Sequence, residues 1–286
     1  MVLIHGLGAS MYSWRKTIGP LAEAGFRVIA FDNRGFGGSE KPERGYANAD
    51  YVRLTLALLD SLGIAEATLV GHSMGGQIAA EVALARPERV RALALLAPSG
   101  LGIRHPLLLR AARWRLVGPL ISGLRNRTFT ARILRSAYGN PAAVTDADVD
   151  QYYAPVAEAD YGRALRGVLR EYRFDGLAGR LDSIHQPTLL VWGSRDRWIP
   201  PSLGRVMAGR LERVALVMIP GAGHALGEEA PERVNAVLVR FLTAGLPRLL
   251  ENLAGQQESG YRCVNRSVDK LLRCAGSSAM NGPYAS

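Results

Sequence analysis

The stretch LVGHSMGGQIAA, residues 69 to 80, limits the possible folds of this chain more than any other. An apolar run ending at Val70 meets Gly71, a lone serine follows at Ser73, and Gly75 and Gly76 open a run of small, helix-compatible residues. A buried strand that turns into a helix within about one residue forces the residue at the bend into a strained backbone, with φ > 0. Gly71 and Gly75, two before and two after Ser73, leave room for such a bend because they lack Cβ atoms. Gly71-His72-Ser73-Met74-Gly75 therefore has the G-x-S-x-G form of a nucleophile elbow, with the hydroxyl beside a helix N-terminus that favours negative charge. The bland alternative is a chance glycine-rich turn.

The surrounding pattern supports the strand-turn-helix reading. Val2 to His5, Arg27 to Asp32, Ala67 to Val70, Val90 to Leu96, Leu189 to Trp192 and Leu216 to Ile219 read as strands. They alternate with helices over Trp14 to Ala24, Asp50 to Leu62 with Asp50 as N-cap, Met74 to Arg86 and Pro231 to Leu242. Strands alternating with helices predict an α/β fold, a mostly parallel sheet with helices on both faces. Between Ser99 and Arg180 no strand pattern occurs, and the segment reads as helices at Pro106 to Leu120, Phe129 to Tyr138, Asp146 to Val156 and Tyr161 to Tyr172. An all-helical insertion after a strand predicts a lid over the C-terminal sheet edge. The expected organisation is a core over 1–98 and 181–245, a helical lid over 99–180, and a partly disordered tail over 246–286 with short helical candidates around Leu249 and Leu271.

Composition narrows the classes further. The net charge of +10 is carried by arginine, since the lysines are Lys16, Lys41 and Lys270. No run of arginines forms a binding arm, so nucleic-acid binding is not expected. Gly102 to Arg135 holds eight arginines and no acidic residue, which reads either as stems covering apolar surface with their heads in water or as a surface for anionic substrates. No stretch of about 18 uncharged apolar residues predicts a membrane span. MVLIHGLG lacks the form of a signal peptide, so a cytoplasmic location is expected. Cys263 and Cys274 are expected as free thiols. No metal-ligand spacing occurs, and neither a metal nor a cofactor is expected.

A serine hydroxyl is a weak nucleophile and needs a base. Among the five histidines, His224 has the right placement, on a loop between a predicted strand and the last helix. Asp196 sits likewise, past the strand Leu189 to Trp192, and is the candidate acid to orient His224. Asp175 and Asp182 are rivals that follow no strand. Developing negative charge on a reacting carbonyl needs donors. The backbone N–H of Met74 is one, and that of Leu7 in the loop His5-Gly6-Leu7-Gly8 is the second, with Gly8 as runner-up.

HGLGAS, FDNRGFGGSEKP, GHSMGG, VWGSRDRWIP and PGAGHALGEEAPERV together resemble the motif set of the α/β-hydrolase superfamily. The similar branch is the lidded one of small esterases, lipases, epoxide hydrolases, haloalkane dehalogenases and C–C bond hydrolases. The resemblance spans residues 2 to about 243. It implies Ser73 as nucleophile, His224 as base, Asp196 as its orienter and Leu7 and Met74 as oxyanion donors, in the family's Ser…Asp…His order. It implies a structural role for Asp32 and Arg34, and a lid inserted after the sixth family strand. The two antiparallel strands that open the family sheet have no counterpart here: either the start is truncated or the sheet lacks its usual edge, and in the second case Arg27 to Asp32 is an open edge prone to self-association. Serine at the elbow disfavours epoxide hydrolases and dehalogenases, which use aspartate. A serine esterase or lipase-like carboxylesterase acting on a small-molecule ester is the expected function. A C–C hydrolase of vinylogous diketones is the alternative, sharing S-M-G-G and an A-P-S-G-L-G segment but commonly carrying Asn where this chain has His72. A non-catalytic binding protein of the same fold is the third reading.

Overall fold

The structure, a computed structural model, describes residues 1–102 and 125–254, the last five by backbone only. The helix expected at Pro106 to Leu120 and the candidate around Leu271 lie outside the described residues.

Six parallel strands form one sheet: β1 (Val2–Ile4), β2 (Ile29–Phe31), β3 (Ala67–His72), β4 (Val90–Leu96), β5 (Thr188–Gly193) and β6 (Val214–Ile219). Their order is β2-β1-β3-β4-β5-β6. The central strands are apolar on both faces because helices cover both. Leu69, Val70, Leu93, Ala94, Leu189, Leu190, Val191, Leu216 and Val217 are all fully buried. The parallel α/β architecture expected from the sequence is the observed one. Among the described residues β2 lies at the edge of the sheet. It covers only Ile29–Phe31, half-buried, instead of the expected Arg27 to Asp32.

The core helices are α1 (Arg15–Glu23), α2 (Asn48–Ser61), α3 (Met74–Ala85), α7 (Pro201–Arg210), the single turn α8 (Leu226–Glu229) and α9 (Pro231–Ala254). α1 packs on α9, and α2 on α3. Asp50 is not the N-cap expected of it. α2 starts two residues earlier, with Ala47 at the cap, and Asp50 closes the first turn from the third position by accepting from Ala47 N at 2.9 Å. The tail boundary also moves. Gly245 takes a left-handed φ of 73° and redirects α9, so that Leu246 and Leu249, three apart on one face, stay buried in the core. The packed unit thus reaches Leu249, beyond the expected limit at 245.

The described part of the lid is helical: α4 (Arg127–Ala137), α5 (Asp146–Ala157) and α6 (Tyr161–Glu171). Asn126 caps α4 by accepting from Phe129 N at 2.8 Å. Thr145 and Asp148 cap α5 reciprocally. Arg127 pairs with Asp146 and Asp150 on α5, so part of the lid's basic run is neutralised within the lid.

Candidate active site

β3 runs into α3 at Ser73, whose φ of 55° makes it one of two non-glycine residues with positive φ among those described. Strain of this kind persists only where the surroundings hold it. They do so closely. A Cβ on Gly71 would lie 2.3 Å from Gly75 O, and one on Gly75 would lie 2.1 Å from Ile4 O. Both elbow glycines are therefore required by backbone approach. Ser73 N donates to Leu96 O at 2.9 Å, which ties the bend to β4.

Asp196 follows β5 and His224 follows β6. The two loops touch through main chain, with Arg195 N donating to Ala222 O at 2.8 Å. The approach needs Gly193, where a Cβ would sit 2.1 Å from Gly223 O. Asp196 Oδ1 accepts from Trp198 N at 2.8 Å and Ile199 N at 2.9 Å. Its Oδ2 meets His224 Nδ1 at 2.8 Å, and both side chains are buried. A carboxylate at Nδ1 assigns the proton to that nitrogen and leaves Nε2 as the basic one. Trp198 stacks on the His224 ring, with centroids 5.2 Å apart.

His224 reaches the elbow through His72, the residue before Ser73. The two imidazole centroids are 4.8 Å apart, and His72 Nε2 lies 2.9 Å from His224 O. Burial, then the neighbouring His224, pulls the His72 pKa down to about 3. His72 is thus neutral, and the carbonyl acceptor assigns its one proton to Nε2.

The loop after β1 flanks the same point. Gly6 lies against Ser73, since a Cβ there would be 3.0 Å from Ser73 Cβ. Leu7 and Gly8 follow, half-buried. His5, fully buried and held neutral by desolvation, accepts from Asn33 N at Nε2 (2.8 Å) and faces Gly6 O with Nδ1 (2.9 Å). Both its nitrogens are thereby occupied by structure. Asp32 is structural too, accepting from Met11 N (2.6 Å) and Gly38 N (2.8 Å). Tyr161 of the lid lies over this loop, its hydroxyl 3.2 Å from where a Gly8 Cβ would be, and burial pushes its pKa up to about 12.

Ser73, Met74, Asp196, His224 and the Leu7 loop thus converge at the C-terminal sheet edge, while Asp175 and Asp182 pair with Arg173 and Arg210 on the exposed surface. His185 is exposed beside Glu212. His105 lies outside the described residues. The sequence reading missed His72 and Trp198, whose contacts join residues far apart in the chain. Among the described residues no helix is long and apolar enough to cross a membrane.

Known proteins share this arrangement of chain. The profile of the α/β hydrolase fold matches residues 1–231. A hydrolase of Bacillus subtilis (strain 168), YugF, uncharacterized, is 29% identical over 85% of this chain and 89% of its own. A meta-cleavage product hydrolase from Pseudomonas fluorescens IP01 superposes with a TM-score of 0.74 at 26% identity, covering 85% of this chain and 90% of that one. A bacterial membrane phospholipase A gives 0.71 at 30% identity, covering 85% and 78%. With its parallel sheet, its strained serine turn and its loops after β5 and β6 in the same order, the chain belongs to the α/β-hydrolase fold family.

Proposed function

We propose that this hydrolase cleaves small to medium uncharged carboxylic esters through an acyl-enzyme on Ser73. The observation that carries the reading is the buried Asp196–His224 hydrogen bond of 2.8 Å, which leaves Nε2 as the basic nitrogen and packs on the positive-φ elbow. In the first half-reaction Ser73 Oγ bonds to the ester carbonyl carbon and its proton passes to His224 Nε2. Asp196 stabilises the imidazolium without taking the proton. The backbone N–H groups of Met74 and Leu7 receive the oxyanion, Met74 as the first residue of α3, where helix N–H groups lack partners within the helix. The carbonyl re-forms, the C–O bond breaks, and the alcohol leaves with the proton from His224. Water repeats the sequence and releases the acid. Tyr161 over Gly8 offers an uncharged polar group rather than a cation, which suits an uncharged acyl chain.

A second reading is kept alive by the likeness to a meta-cleavage product hydrolase. In that reading the same residues cut a C–C bond in a vinylogous diketone. His72 stands against it, at a position where such hydrolases commonly carry Asn. Comparing kcat/KM for p-nitrophenyl acetate, butyrate and octanoate with that for a 2-hydroxy-6-oxo-dienoate separates the two. Ester turnover is expected to dominate; a dienoate turned over orders of magnitude faster than every ester overturns the ester reading. A fluorophosphonate is expected to label the wild type and not Ser73→Ala. His224→Ala is expected to lower kcat by about 10⁴–10⁶-fold, with little further loss on adding Ser73→Ala. Additive losses contradict a shared mechanism.

A further inference from the structure

Beside the site, a second group of buried charges joins three parts of the molecule. Arg15 opens α1, in the segment that follows the Leu7 loop. One guanidinium nitrogen, Nη2, meets Asp148 Oδ1 of lid helix α5 at 2.5 Å. The other, Nη1, pairs with Glu228 Oε2, four residues after His224. The three side chains are 21%, 10% and 6% exposed. Tyrosines complete the shell. Tyr12 donates to Asp148 Oδ1 at 3.1 Å, and its ring centroid lies 4.1 Å from Arg15 Cζ. Tyr152 of α5 donates to Glu228 Oε1 at 2.5 Å. Lys16 Nζ donates to Glu228 O at 2.9 Å.

None of these contacts includes Ser73, Asp196 or the side chain of His224. Together they make a charged fastening of α5 to the core, besides the Lys41–Glu158 pair at its C-cap. α4 has its own seat, with Ala225 N donating to Ala137 O and Glu229 accepting from Gly139 N, Asn140 N and Gly223 N. α6 ends in another, where Gln77 and Asn48 hold Arg173 O. α5, lying between them, packs through Val149 on α4 and Ala225 and is tied by charge to α1 and the His224 loop through Arg15.

We propose that Arg15 is a positioning residue that latches the lid: held between Asp148 and Glu228, its guanidinium keeps α5 closed over the site and fixes the loop that carries His224. A guanidinium can serve two carboxylates at once because its N–H donors form a planar fork, which an ammonium lacks. Removing it leaves two buried carboxylates without their shared cation, which weakens the attachment of α5 to the His224 loop. Substrate held under the lid is then bound less well, while the Ser73 elbow is untouched.

Amide hydrogen exchange of R15M tests the latch without any substrate. Exchange over 145–157 is expected to rise about tenfold or more against wild type, with β5 and β6 unchanged, because the opening is local. R15K is expected to fall between the two. In turnover, which rests on the proposed ester hydrolysis, KM is expected to rise more than kcat falls in R15M, and R15K to restore part of KM. Unchanged exchange over 145–157 overturns the proposal, and so does an equal rise across the sheet strands, which marks a general loss of stability. If R15M does not fold, the same exchange measurement on D148N decides, since that variant removes the α5 carboxylate that Arg15 holds: exchange over 150–157 is again expected to rise, and an unchanged rate overturns the proposal. Wild-type protein inert toward every ester but showing the local exchange change refutes the substrate reading and leaves the latch standing.

Discussion

His72 occupies a motif position where the sequence demands no particular residue, yet its ring does specific work. Its Nε2–H reaches His224 O at 2.9 Å, and its low pKa keeps it a neutral donor with one fixed tautomer over ordinary pH. The bond holds the His224 main chain against the residue next to Ser73. His72→Phe keeps an aromatic ring and loses the donor, leaving a buried carbonyl unpaired at a cost of about 1–3 kcal/mol. Its kcat/KM is expected to fall about 10²-fold, the penalty for misplacing a catalytic group by about 1 Å. His72→Asn retains an N–H donor and is expected to recover most of that loss. Melting temperature and kcat/KM, measured on both variants, check the point; equal activity of the Phe and Asn variants removes the positioning role. The placement of Ser73, Asp196 and His224 just past strands was legible from the chain, because an apolar run that ends in a glycine-flanked bend or loop leaves a local pattern. The His72 bond was not legible, since it depends on a main-chain oxygen 152 residues away.

At the scale of elements, the lid's attachment carries a pH signature. Asp148 and Glu228 share Arg15 but titrate in opposite directions. Burial raises the Asp148 carboxyl, but the hydroxyl and backbone N–H of Thr145, with Arg15, outweigh it and hold the pKa below 3.8. For Glu228 burial outweighs the help from Arg15 and Tyr152, and the pKa stays above 4.5. A depressed carboxyl contributes stability above its unfolded value, lost as pH falls through the folded one. A raised carboxyl binds its proton more tightly in the folded state, so stability falls as pH rises from 4.5 to its folded value. Wild-type melting temperature is therefore expected to drop on acidification below 3.8, less so in Asp148→Asn. Just above 4.5 it is expected to decline with rising pH, and Glu228→Gln to flatten that decline. Differential scanning calorimetry from pH 3 to 8 reads both limbs; parallel curves for wild type and variants contradict the assignment. Helix in the lid segment was legible from the lack of any strand pattern, while the Asn126 cap and the start of α4 at Arg127, two residues before the expected Phe129, were not. The charge cluster was not, because Arg15, Asp148 and Glu228 are ordinary surface residues until the lid folds over.

At the scale of the molecule, the outer edge of the described sheet bears on assembly. β2 pairs with β1 alone among the described residues. Ile29 N is used inward, donating to Met1 O at 3.0 Å, so by strand alternation Ala30 N points outward. For the chain over residues 1–286 taken by itself, we propose that a second copy pairs along this edge, as unpaired strands tend to do. Sedimentation and light scattering are expected to show association that rises with concentration and disappears in Ala30→Pro, which removes an outward donor and spares the β1 ladder. A monodisperse wild-type monomer across the range sinks the proposal. Between them, the three scales divide what the chain determines from what folding adds. The strand-helix alternation, the positive φ at Ser73 and the Ser73, Asp196, His224 order follow from local chemistry, because a bend, a buried apolar run and a loop after a strand each leave a pattern within a few residues. The length of β2, the continuation of the core to Leu249 through the Gly245 break, the neutral His72 donor and the Arg15 latch were decided by tertiary structure. Each depends on which distant surface arrives beside a residue, and burial and charge pairing exist only after that surface is in place.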